Sequence, residues 1–285
     1  MAGHFAAVLS IGTALLLLVG SHSSQAAEIK IVLPNAYADV EGEGGVDGDL
    51  APYRYQQVFP AEEFAALGNQ PHWLVRSTWR PDKSVTSPLT VELPDVQVRL
   101  STTQRGPDDL SVEFDDNFGS DLKQYYRGPF ITVADAYSGP GPRAFYHVEY
   151  PAGITPYLYD PSKGNLLWDL IAWQGERPAR ADRIPGIQTS LYAEPALATQ
   201  VNPSGAGIFQ FTFVPVPQLS NPAWSAGQFE FTLTGETNVN YVIQASTDLQ
   251  SWTPLATNRS ANASRNIAID APDSRSFYRA IVGPY

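Results

Sequence analysis

"GIFQFTFVPV", residues 207–216, decides the fold. Phe209, Phe211 and Phe213 fall on one side of an extended chain and Gln210 and Thr212 on the other, the period-two alternation of a half-buried strand. Working outward, "VQVRLS" (96–101) repeats the pattern, with Val96, Val98 and Leu100 against Gln97, Arg99 and Ser101. "NLLWDLIAW" (165–173) is apolar almost without interruption from Leu166 to Trp173 and predicts a central strand covered on both faces. A helix is expected only in "PAEEFAALG" (60–68), where Ala61 to Leu67 form about two turns and Gly68 stops them. Between the strands lie "GPDD", "SGPGP", "DPSKGN" and "NPSGAG", turn clusters in which Pro fixes φ and Gly, Asn or Asp supplies the rarer backbone conformations. Many short strands at this spacing predict an all-β chain with a jelly-roll-like β-sandwich over residues 28–217.

A second alternating set follows. "GQFEFTLTG", "NYVIQAS" and "SFYRAIV" place Phe229, Phe231, Leu233, Tyr241 and Ile243 on inward faces. The expectation is a small fibronectin- or immunoglobulin-like β-module over residues 228–285. The stretch before it, "VPVPQLSNPAWSAG" (214–227), carries Pro215, Pro217 and Pro222 and reads as a linker, bounded at residues 218–227. Trp252 is expected to plug the module's core and Asp248 to cap a tight turn.

The first 27 residues have the layout of a secretory signal peptide, with an apolar core from Phe5 to Val19 and small residues for cleavage near Ala26 or Ala27. An uncleaved anchor is the alternative, because this n-region has neither Lys nor Arg. No later stretch is long and apolar enough for a membrane span. The expected location is therefore extracellular, and with no cysteine in the chain disulfides, thiolate zinc sites and cysteine nucleophiles are excluded. The net charge of −11 lies entirely outside the leader and argues against nucleic acid as a partner.

Two stretches carry a resemblance. "YVIQASTDLQSWTPLATN" with "RSFYRAIVGP" looks like a C-terminal β-module of many secreted bacterial proteins. "RYQQVF", "VQVRLSTT", "PDDLSVEFDDN", "PYLYDPSKGNLLWDL" and "FQFTFVPVP", in that order, are similar to the β-sandwich domain of exported bacterial proteins that often end in a PEP-CTERM sorting tail. The β-module stands where that tail would begin. The resemblance implies an exported sandwich and carries no active site to transfer.

The candidate sites are few. "DVEGEGGVDGD" (39–49) holds five carboxylates, Asp39, Glu41, Glu43, Asp47 and Asp49, all on one side of an extended segment. They form either a solvated acidic loop, the favoured reading, or a calcium site, since calcium takes six to eight oxygen ligands from closely spaced acids. The spacing does not fit an EF-hand. A second cluster, Asp108, Asp109, Asp115, Asp116 and Asp121, has the same two readings. His147 and Glu149 share a strand face, as two metal ligands or as a solvent-facing stripe, the latter preferred. Glu113 and Asp115 are the nearest approach to a glycosidase pair. No GxSxG, HExxH or P-loop motif occurs.

Three functional classes remain. The leading one is a noncatalytic secreted protein that binds carbohydrate or another cell-surface component, with Trp73, Trp79, Trp173, Tyr125 or Tyr126 as stacking platforms. The alternative is a structural envelope or biofilm-matrix protein. A glycoside hydrolase or lyase is the third. An aromatic row on an exposed sheet face would favour the first, a featureless polar surface the second, and a deep acidic cleft the third.

Overall fold

The computed structural model describes residues 28–45, 52–175, 181–184, 190–193, 202–225, 227–270 and 276–284. The first 27 residues, read above as a signal peptide, lie outside them. The described chain is built mainly of antiparallel strands, and its first part is a β-sandwich of two principal sheets. One sheet has the order Ile29–Leu33, Phe209–Pro215, His72–Trp79, Tyr157–Tyr159. The other has seven strands, with Asn165–Gln174 at its centre between Tyr53–Phe59 and Leu89–Thr103.

The alternation around Phe211 builds the layer between the sheets. Phe209, Phe211 and Phe213 are buried, and they meet Leu166, Trp168, Val98 and Leu100 of the facing sheet in one apolar cluster. Phe59 sets its ring edge-on to Phe209 and Phe211, at 5.4 and 4.9 Å between centroids. Such edge-to-face pairs add about 0.5–1.5 kcal/mol each beyond area burial. Ala61–Leu67 is helical as expected, two 3-10 turns that meet in a kink at Phe64 (φ −97°, ψ 25°) and end on Gly68 at φ 61°. It lowers Phe64 onto Tyr159 and Phe213.

The outer face of the seven-stranded sheet is largely covered where Arg99 and Ser101 point. The segment after Thr103, with its short 3-10 helix Phe114–Asn117, lies over it. Asp169, fully buried at the middle of the central strand, accepts hydrogen bonds there from Arg54 Nε (2.8 Å), Gln56 Nε2 (2.9 Å) and Arg99 Nε (2.8 Å). The Arg54 guanidinium also stacks 4.2 Å from the Phe114 ring centre. The central strand is therefore covered on both faces, as its apolar run predicts, with a paired polar layer on one of them.

The C-terminal part is a second small sandwich. Gln218–Ser225, Gln228–Thr234 and Ser264–Asp270 form one three-stranded sheet; Thr253–Arg259, Asn240–Ser246 and Phe277–Val282 form the other. The stretch read as a linker is thus largely a strand. It runs along the edge of its sheet, and Asn221 and Pro222 sit at an irregularity between Ser220 and Ala223, where proline takes no ladder hydrogen bond away. Val75 and Val214, from the outer face of the four-stranded sheet, complete the module's core beside Phe231, Leu233, Tyr241 and Ile243. Trp252 is not in that core. It is half-exposed, lies 4.1 Å under the Arg279 guanidinium, and donates from its indole to the Leu249 carbonyl. Asp248 does cap its turn, accepting from the backbone N–H of Gln250 and Ser251 at 2.8 Å each.

Candidate metal centre

Of the three described carboxylates of the acidic stretch, Asp39, Glu41 and Glu43, Glu41 alone reaches a cluster. Asp39 and Glu43 are exposed, and Asp47 and Asp49 lie outside the described residues. Glu41 instead meets Asp82 and Asp182, each offering a carboxylate oxygen within 4.8 Å of the others. Among the described residues the partners of Glu41 come from 41 and 141 residues further along the chain. Asp82 and Asp182 are 7% and 0% exposed, and Glu41 is half-buried.

Backbone pairing assembles this corner. Arg80, at the exit of the strand His72–Trp79, donates its N–H to the Ile208 carbonyl, and its own carbonyl accepts from Asp182 N–H at 2.8 Å. Asp182 begins a short strand between Ala206–Gly207 and Gly44–Gly45, in register with Gly45. The glycines of the acidic stretch make the approach possible. A Cβ on Gly42 would stand 2.6 Å from the Arg183 carbonyl oxygen and 2.9 Å from Asp182 Cγ, and one on Gly45 2.8 Å from Asp82 Cγ. Glycine at these two positions lets backbone lie directly against the carboxylates.

Each acid has a holder. The fully buried Arg80 donates from Nε to Asp182 Oδ2 at 2.7 Å and spends its other nitrogens on the carbonyls of Tyr37 and Val40. Gly42 N–H donates to the same Oδ2 at 3.0 Å. Asp82 accepts from Ser84 N–H at 2.9 Å and also from its hydroxyl, and Glu41 Oε1 accepts from Lys83 N–H at 3.0 Å. Two buried oxygens are left without a partner, Asp182 Oδ1 and Glu41 Oε2. Burial, with repulsion from Asp182 second, pushes the Glu41 carboxyl above the ordinary range, against the Lys83 N–H and Arg80. Burial likewise raises Asp182, although Gly42 N–H and Arg80 oppose it.

The remaining candidates disperse. Glu113 and Asp115 do not share a strand face, because the 3-10 helix begins at Phe114. Asp115 pairs with Arg54 at 3.0 Å, and Asp109 stands 3.7 Å from Arg105. Asp121 is built into the sandwich: burial raises its pKa, but hydrogen bonds from Thr102, Tyr157 and Ser101 outweigh this and hold it below the usual value. His147 and Glu149 lie 3.7 Å apart, both well exposed, on the last strand of the large sheet. Near them is a hollow of about 110 Å³ lined in part by Val133, Tyr137, Arg143 and Phe145, below the roughly 300 Å³ at which small-molecule pockets begin.

Asp82 and Asp182 carry no one-dimensional signal. Each is a single acid in an arginine-containing stretch, "RPD" and "RADR", which reads as locally neutralised. Comparison with family models, curated proteins and solved structures gave no match.

Proposed function

We propose that this chain is a noncatalytic exported protein with a structural role in the cell envelope or extracellular matrix. The observation that carries the reading is where the aromatic side chains go. Of the five suggested as sugar platforms, Trp79, Tyr125 and Tyr126 are buried. Trp73 is packed against the module's core, and Trp173 lies 4.2 Å under the Arg127 guanidinium. A sugar-binding face needs such rings in the open, and here they consolidate the sandwich. The continuous apolar packing through Val75 and Val214 further supports a stiff two-part body over a tethered spacer.

One observation favours a second reading, binding of a glycan or surface component through the C-terminal module: Trp224, on its edge strand, is 64% exposed. The two readings separate in one pair of measurements on the mature chain, a glycan array and sedimentation across a concentration series. The structural role predicts no selective glycan signal and reversible or progressive self-association. Selective binding by a monomer, lost in Trp224→Ala, would overturn it in favour of the second.

A further inference from the structure

We propose that Glu41, Asp82 and Asp182 form a calcium site that ties together three distant parts of the sandwich. This inference is independent of the structural role above. Acidic clusters on protein surfaces are common and need no ion; three features set this one apart. Asp182 is wholly buried, and its Oδ1 has neither a hydrogen-bond partner nor access to water. Buried carboxylate oxygens are ordinarily satisfied, so an orphan at a cluster of acids suits a cation. Glu41 Oε2 is a second such orphan. The backbone is also shaped around the acids, since Gly42 and Gly45 are the residues whose Cβ atoms would strike Asp182 and Asp82.

Charge gives the same answer. Three carboxylates meet one guanidinium, that of Arg80, leaving the described cluster two negative charges in excess.

Geometry selects the ion. Three oxygens no more than 4.8 Å apart share a point within about 2.8 Å of each. Calcium bonds oxygen at roughly 2.3–2.6 Å in flexible geometry, so a small inward movement completes the contacts. Magnesium demands a near-ideal octahedron at about 2.0–2.1 Å and gives up its waters reluctantly, so three protein carboxylates held by Arg80 and short strands serve it less well. Zinc is disfavoured by the absence of nitrogen or sulfur ligands from the cluster. Water and backbone carbonyls supply the remaining calcium ligands.

The test is calcium titration of the chelator-stripped mature chain by calorimetry, with thermal melts in calcium, magnesium and EDTA. Wild type should bind calcium with a melting temperature that rises with its concentration, and magnesium should bind at least tenfold more weakly. Glu41→Gln and Asp82→Asn should each weaken calcium binding tenfold or more. Circular dichroism in EDTA shows that each variant is folded, which guards against misreading Asp182→Asn, whose loss also frees Arg80. Absence of calcium binding at millimolar concentration would overturn the proposal. Binding undiminished in both folded variants would also overturn it, by placing the ion elsewhere in the chain. Neither outcome bears on self-association or glycan binding, so the structural role stands or falls separately.

Discussion

Replacing Asp169 by alanine tests the polar layer that lies between the central strand and the segment after Thr103. The carboxylate has no exposure and accepts from Arg54, Gln56 and Arg99, whose arginine side chains are only 9% and 19% exposed. Its removal leaves two guanidinium groups facing one another in a site that water hardly reaches. Arg54 keeps Asp115 at 3.0 Å, but that partner is 83% exposed and recovers little. Removing one partner from a buried pair costs about 3–5 kcal/mol. For a domain of this size each kcal/mol lowers Tm by about 2–4 °C, so a fall of roughly 6–20 °C is expected. Urea unfolding followed by tryptophan fluorescence gives the free energy, provided the m-value is unchanged. A companion variant with Asp169→Leu, Arg54→Met and Arg99→Met should recover most of the loss, because apolar groups of similar volume commonly replace buried ions without penalty. A single-variant loss under about 1 kcal/mol, or a triple variant no better than the single, would refute the account of this layer as desolvated charge.

Gly42→Ala should destabilise the chain by about 1–3 kcal/mol through its clash with the Arg183 carbonyl, whereas Gly44→Ala, with nothing within 4 Å of its Cβ, should be nearly silent; chemical denaturation of both distinguishes close approach from mere flexibility. Asp121 gives a pH signature. Its folded pKa is lowered, so its contribution is present above the unfolded value near 3.9 and is lost as pH falls through the folded value; the stability gap between wild type and Asp121→Asn should narrow on acidification and stay constant above about pH 5. Val214 has no exposure and joins the sandwich to the module, so wild type should unfold in one calorimetric transition and Val214→Asp in two; two resolved transitions in wild type would contradict the shared core.

What could be read from the sequence was whatever a short window determines. The Phe209–Phe213 alternation, the apolar run of Asn165–Gln174 and the Ala61–Leu67 turns with Gly68 are local facts, and each is found in the structure. Misreadings arose where a neighbour distant in sequence decides the outcome. Arg99 and Ser101 have the polar alternation of a wet face, yet the Phe118 ring stacks on Arg99 and the Gly119 N–H donates to the Ser101 hydroxyl. Gln218–Ser225 follows Pro215 and Pro217 and holds Pro222, the marks of a linker, yet an edge position tolerates that proline. The candidate centre was legible by one third, Glu41. Asp82 and Asp182 are brought to it by pairing of short strands and bridges, a contact order that no spacing rule encodes.

The two buried acid clusters of the sandwich resemble each other in parts and differ in balance, and that difference separates support from site. Around Asp169 two guanidinium groups face one buried carboxylate, with an amide completing its hydrogen bonds. Around Asp182 one guanidinium faces three carboxylates, and two buried oxygens remain unmatched. In the first arrangement both carboxylate oxygens have protein donors. The second gains little from rearranging its own side chains, since Arg80 already directs its other nitrogens to the Tyr37 and Val40 carbonyls and the glycine backbone blocks retreat of the acids. Protonation is one relief for such a cluster, and the raised pKa of Glu41 and of Asp182 shows its pull. A hard divalent cation is the other, and it alone satisfies all three carboxylates at once while joining Glu41, Asp82 and Asp182 across the fold.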